Sequence, residues 1–138
     1  MSTINLNQLD PQQLMQVKQS TQQELMHLQS SYDALVMAQK KYKDCILSVE
    51  SIDMNKEDEN IMVPLTSSLY VPGKIKKDNF KIDIGTGYFI EKDVDQSKEF
   101  FNKRITKLNG DSEKLKELIT EKVQIMQKID VIVREKLT

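Results

Sequence analysis

The sequence has no tryptophan, one cysteine, one histidine, three prolines and four glycines in 138 residues. A single cysteine, Cys45, cannot close an internal disulfide, which suits a reducing compartment. One Cys and one His cannot supply the ligand set of a zinc site. No apolar run approaches the roughly 20 residues that a membrane helix needs. The N-terminus, MSTINLNQLD, has neither a basic region nor an apolar core of the secretory kind. Charges nearly cancel, at a net −1, so no global field draws the chain to nucleic acid or to an anionic membrane. With 38% hydrophobic and 30% charged residues, the balance favours a surface-rich molecule over an enzyme with a large buried pocket. The expectation is a soluble intracellular protein of one domain over 1–138, with no cofactor and no nucleic-acid or membrane partner. Its expected compartment is the cytoplasm, with the nucleus as an alternative.

Helix-forming residues are abundant. Asp10-Pro11 is a good helix start, because aspartate accepts free backbone N–H groups and proline at the first helical position loses no bond. No Pro or Gly follows until after Ser51, so a helix over about 10–51 is predicted, about 60 Å long at about 1.5 Å per residue. Steps of four and three trace one seam: Leu14, Lys18, Thr21, Leu25, Leu28, Tyr32, Leu35, Gln39, Tyr42, Ile46 and Val49. All are apolar except Lys18, Thr21 and Gln39, and the frame never slips, which marks a coiled coil. A second helix over about 95–136, with Asp93, Asp95 or Ser97 as cap, carries the matching seam. It reads Phe101, Ile105, Leu108, Ser112, Leu115, Ile119, Lys122, Met126, Ile129, Val133 and Lys136. Gly110 falls at an outward position, where it costs about 1 kcal/mol relative to alanine. Two equal arms imply an antiparallel hairpin that brings Val49 near Phe101 and Leu14 near Lys136.

Between the arms lie an acidic connector, 53–60, and a β-rich island over about 61–92. Apolar residues alternate there with the period of half-buried strands: Ile61, Val63, Leu65; Leu69, Val71; Phe80, Ile82, Ile84. Breaks at Thr66-Ser67-Ser68, Pro72-Gly73 and Gly85-Thr86-Gly87 predict four strands in two hairpins, with Pro64 and Pro72 at edges, ends or bulges. Strands of this size cannot wrap a core alone, so the island needs partners. The expected assembly residues are Ile61, Val63, Leu65, Leu69, Val71, Phe80, Ile82, Ile84, Tyr88 and Ile90.

Away from the island the arms carry apolar residues beyond the seam. Leu9, Met15 and Val17 join Leu14 on the first arm; Ile125, Val131, Ile132 and Leu137 lie on the second. These are candidates for contact with exposed hydrophobic segments of another protein, or else they widen the core near the helix ends.

Other signals have plainer readings. His27 falls between Leu25 and Leu28 on the outer face, where a catalytic base would lack a partner and a pocket. Cys45 reads as a half-buried filler beside Ile46. Gly85-Thr86-Gly87 lacks the Gly-Lys-Ser/Thr run of a phosphate loop and sits between strands. Lys74, Lys76, Lys77 and Lys81, with Phe80 nearby, form a basic cluster whose default is a solvated linker or a rim paired with acidic neighbours. No acid–base pair stands out, so an enzyme is not expected.

The layout resembles the α-class prefoldin subunits, and two stretches carry the specific likeness to the branch of subunit five. These are Val63–Lys74, VPLTSSLYVPGK, and Ile82–Lys92, IDIGTGYFIEK. The resemblance implies an α+β fold, mainly α: a long coiled-coil hairpin whose two β-hairpins join an oligomeric β-barrel. It implies a hexamer of α- and β-class subunits that needs no ATP. Such a complex captures non-native actin and tubulin chains and passes them to the group II chaperonin of the cytosol. The absence of an extended tail after Leu137 departs from longer relatives. The alternative from another class is a coiled-coil scaffold or tether that recruits folded partners, in the nucleus among other places.

Overall fold

Both long helices begin on the same short device. Ahead of α1 (Pro11–Met54), Asp10 Oδ1 accepts the Gln13 N–H at 2.8 Å and Gln13 Oε1 accepts the Asp10 N–H at 3.2 Å. Asp93 and Gln96 repeat the exchange ahead of α2 (Val94–Leu137), at 2.8 and 3.3 Å. The reciprocal pair satisfies two backbone donors that a helix or its cap would leave free. Of the three candidate caps, Asp93 is therefore the one used. Asp95 sits in the first turn, where its charge complements the helix dipole, and Ser97 is fully buried.

The computed structural model describes residues 6–77 and 79–137. A 3-10 turn, Leu6–Gln8, precedes α1; then come β1 (Asn60–Pro64), β2 (Tyr70–Lys74), β3 (Phe80–Gly85) and β4 (Tyr88–Lys92), and α2 closes the order. The fold is mainly helical, with two antiparallel strand pairs, β1–β2 and β3–β4. Helix α1 continues through Asp53 to Met54 and β1 already starts at Asn60, so only 55–59 of the acidic stretch is irregular. The chain divides into two compact units, residues 1–37 with 108–138, and residues 38–107.

In the first unit the two helices run antiparallel, as the ion pairs show. Lys18 Nζ meets Asp130 Oδ1 at 2.5 Å, and Lys122 Nζ meets Glu24 Oε2 at 2.7 Å. Leu14 and Ile129 are fully buried, and the small polar seam residues Thr21 and Ser112 are buried too. Ser112 satisfies its hydroxyl by donating to Asn109 O at 2.9 Å, so a polar side chain stays in the seam without an orphaned group. Lys136 departs from the seam pattern: it is exposed, and its Nζ donates to the carbonyls of Leu9 and Asn7.

In the second unit the core is Val49, Ile82 and Phe101, with Tyr42, Ile46, Phe80, Ile90, Val94 and Phe100 packed around it. Phe100 and Phe101 meet edge to face, 5.4 Å between ring centres, and Tyr42 lies 6.0 Å from Phe101. Cys45 is half-buried against the same cluster. Helices and strands therefore share this core, with Ile82 of β3 buried in it and Ile90 of β4 packed against it.

Two turns account for the strand pairing. In the first, Thr66 Oγ1 accepts from Leu69 N at 3.1 Å and Leu65 N donates to Leu69 O at 2.8 Å, so Leu65 and Leu69 close the hairpin just outside its strands. In the second, Thr86 and Gly87 have φ of 50° and 81°, the left-handed pair that a tight hairpin with right-handed twist requires. Gly85, at φ 104°, precedes the pair, so Thr86 is a non-glycine residue held at positive φ between two glycines. Before the turn the register slips between Asp83 and Gly85, which leaves Ile84 as an unpaired bulge residue.

Pro72-Gly73 does not break the island as expected. Strand β2 runs straight through it, with Met62 opposite Pro72 and Ile61 opposite Gly73. The backbone bonds explain the tolerance. Leu65 N donates to Leu69 O and Ile75 N to Glu59 O, so the bonded pairs fall at odd positions. Pro72 occupies a non-bonded position, where its missing N–H is not needed by the ladder. Gly73 has no positive φ; its role is spatial, because a Cβ there would come within 3.2 Å of Val63 Cγ2.

Candidate assembly and client-contact surfaces

The expected assembly residues separate into two groups. Ile82 is 5% exposed and packs with Val49 and Phe101, while Phe80 and Ile90 are half-buried beside it. Ile82 thus works in the chain's own core, which corrects its expected role as a subunit-assembly residue. The helices take up the inward face of β3–β4 because Phe101 and Val49 lie within reach of it. Ile84 and Tyr88 stay exposed toward the turn, and so does Phe89, which alternation had not singled out.

On β1–β2 the whole set is open. Ile61, Val63, Leu65, Leu69 and Val71 are each more than one-third exposed. The strand period puts these odd-numbered side chains on one face, with Gly73. The other face carries Met62, Pro64, Tyr70 and Pro72, also exposed. A half-buried strand needs only one apolar face, whereas strands apolar on both faces are the kind buried on both. Met62 and Tyr70 were missed because alternation was read from one face only.

The expected client-contact residues also divide. Leu14 is fully buried and is corrected to a core residue; its partners in the seam leave no surface for another protein. Leu9, Val17, Ile125 and Ile132 are half-buried, and Met15, Val131 and Leu137 are more than half exposed. Val131 and Ile132 line an open groove of about 470 Å³ along α2 with Gln124, Gln127, Lys128 and Glu135. Apolar Val131 and Ile132 thus lie among polar and charged side chains, a surface suited to loose, exchangeable contact.

Two lysines of the basic cluster, Lys76 and Lys77, contact the acidic stretch over 53–60. Lys76 pairs with Asp58, Lys77 N donates to Glu57 Oε2 at 3.2 Å, and Lys77 Nζ donates to Asp53 O at 2.7 Å. His27 is exposed on the outer face of α1.

Two antiparallel helices joined through two strand pairs define the class. The Prefoldin subunit family model matches residues 21–138, and the chain belongs to that family. Its relatives include the probable prefoldin subunit 5 of Drosophila melanogaster, 40% identical over 91% of this chain and 76% of that protein. The probable prefoldin subunit 5 of Schizosaccharomyces pombe is 34% identical over 98% of this chain and 90% of its own length. Human prefoldin subunit 5 is also 34% identical, over 98% of this chain and 88% of that protein. A cryo-EM structure of filamentous PFD from Methanocaldococcus jannaschii superposes with a TM-score of 0.72, over 84% of this chain and 97% of the other, at 16% identity. That likeness is one of fold.

Proposed function

We propose that this chain is the α-class subunit of a hetero-hexameric, ATP-independent co-chaperone. In this reading β1–β2 and the open end of β3–β4 join strands of other α- and β-class subunits in a shared β-barrel. The helix ends hold non-native chains such as actin and tubulin, which then pass to the group II chaperonin. The observation that carries the reading is the β1–β2 hairpin, apolar on both faces and covered on neither. Bare strand edges invite pairing, and closure into a barrel removes them. Several weak apolar contacts at Met15, Val131, Ile132 and Leu137 add by multivalency, so a client is held without a pocket and still released.

The test reads holding and assembly separately. Val131→Asp with Ile132→Asp should reduce suppression of client aggregation by about tenfold in effective concentration, by analogy with the loss of about 1.4 kcal/mol of apolar contact. Native mass should show the hexamer intact. Unchanged suppression would move the client site away from these residues. A chain that binds folded proteins at fixed stoichiometry, with no preference for unfolded ones, would support the scaffold alternative instead.

A further inference from the structure

Helix α1 ends without a basic residue in its last turn, so its C-terminal carbonyls have no cation of their own. A lysine distant in sequence supplies one: Lys77 Nζ donates to Asp53 O at 2.7 Å. The same residue's backbone N–H donates to Glu57, and its neighbour Lys76 pairs with Asp58. Beside them, Asp58 N donates to Ile75 O at 2.9 Å and Ile75 N to Glu59 O at 3.0 Å, extending the β1–β2 ladder past its base. Ile75 is 5% exposed beside strands whose side chains are open. The turn that feeds this arrangement is itself fixed, with Glu59 Oε2 accepting from Lys56 N and Asp58 at φ 59°.

We infer that Lys77 is a positioning residue for subunit assembly: it locks the base of the β1–β2 hairpin to the end of α1 and so holds the hairpin ready for its partners. The inference rests on the assembly role proposed for β1–β2. Its physical content is preorganisation. If the hairpin swings free, only the fraction of chains holding the competent orientation can associate, and apparent affinity and rate fall by that fraction. Lys77 is better suited to the task than Lys76, because a cation on helix carbonyls complements the dipole while the exposed Lys76–Asp58 pair is worth little.

The experiment mixes the full chain with its partner subunits and follows the association rate, for wild type and for Lys77→Met, Lys77→Arg and Lys76→Met. Lys77→Met should slow association about tenfold, corresponding to a competent population of about one tenth. Lys77→Arg should recover most of the rate, and Lys76→Met should stay within about twofold of wild type. Helical circular dichroism should be the same for all four, and the urea unfolding free energy should change by no more than about 1 kcal/mol. Amide exchange at Ile75 and Asp58 should quicken in Lys77→Met alone. Association by Lys77→Met within about twofold of wild type would overturn the inference, as would an equal loss in Lys77→Arg. A separate control, Val63→Asp with Val71→Asp, tests the assembly reading itself: if that variant still associates normally, β1–β2 is not the assembly surface and the failure lies there.

Discussion

The two hairpins are alike in length and pairing, yet they have opposite relations to the rest of the chain. Hairpin β3–β4 puts Ile82 into a core with Val49 and Phe101, whereas β1–β2 contributes no strand side chain to any core. Similar apolar alternation thus serves an internal contact in one hairpin and an open surface in the other. The difference teaches that alternation reports an apolar face without saying who covers it. What covers β3–β4 is set by neighbours on α1 and α2. What holds β1–β2 is its base, through Ile75, Lys76 and Lys77.

The contrast can be broken by substitution. Val63→Asp with Val71→Asp should abolish co-assembly with partner subunits, because it would bury two unpaired carboxylates, while the chain keeps its helical circular dichroism. Survival of the hexamer by native mass would remove β1–β2 from that role. Ile82→Ala should act the other way. It should destabilise the chain itself by about 2–5 kcal/mol in urea unfolding, as cavity-forming core substitutions do. A midpoint shift of less than about 1 kcal/mol would mean that β3–β4 is not part of the core. The smallest effect sharpens the turn: Gly87→Ala, at φ 81°, should cost about 1 kcal/mol and loosen β3–β4 amides while leaving β1–β2 exchange alone.

The helices were legible in the sequence because their signals are local. Asp10-Pro11 marks the start of α1, and the seam from Leu14 to Val49 keeps one phase, while the choice of Asp93 over Asp95 and Ser97 became clear only from the exchange with Gln96. The strand pairs were legible from alternation and from Gly85-Thr86-Gly87. What escaped depends on partners distant in sequence or on ladder phase. Pro72 passes through a strand because it falls at a non-bonded position, which no reading of Pro-Gly alone reveals. The slip at Ile84 arises from a turn that needs two left-handed residues in a row. Of the candidate surfaces, the sequence showed which side chains are apolar. It did not separate Leu14 and Ile82, which the fold buries, from Val131 and Val71, which it leaves open.

The capping boxes have a consequence for biosynthesis. Because α1 carries its own start signal, it can coil as soon as it leaves the ribosome, well before α2 exists. At about 5–20 residues per second, its seam stays uncovered for seconds while the hairpins and α2 are translated. Pairing can begin when Phe101 emerges to meet Val49, and Asp130 reaches Lys18 only later, after most of α2 has been made. A nascent chain of this kind is itself, for that interval, an unfinished hydrophobic surface in need of shelter.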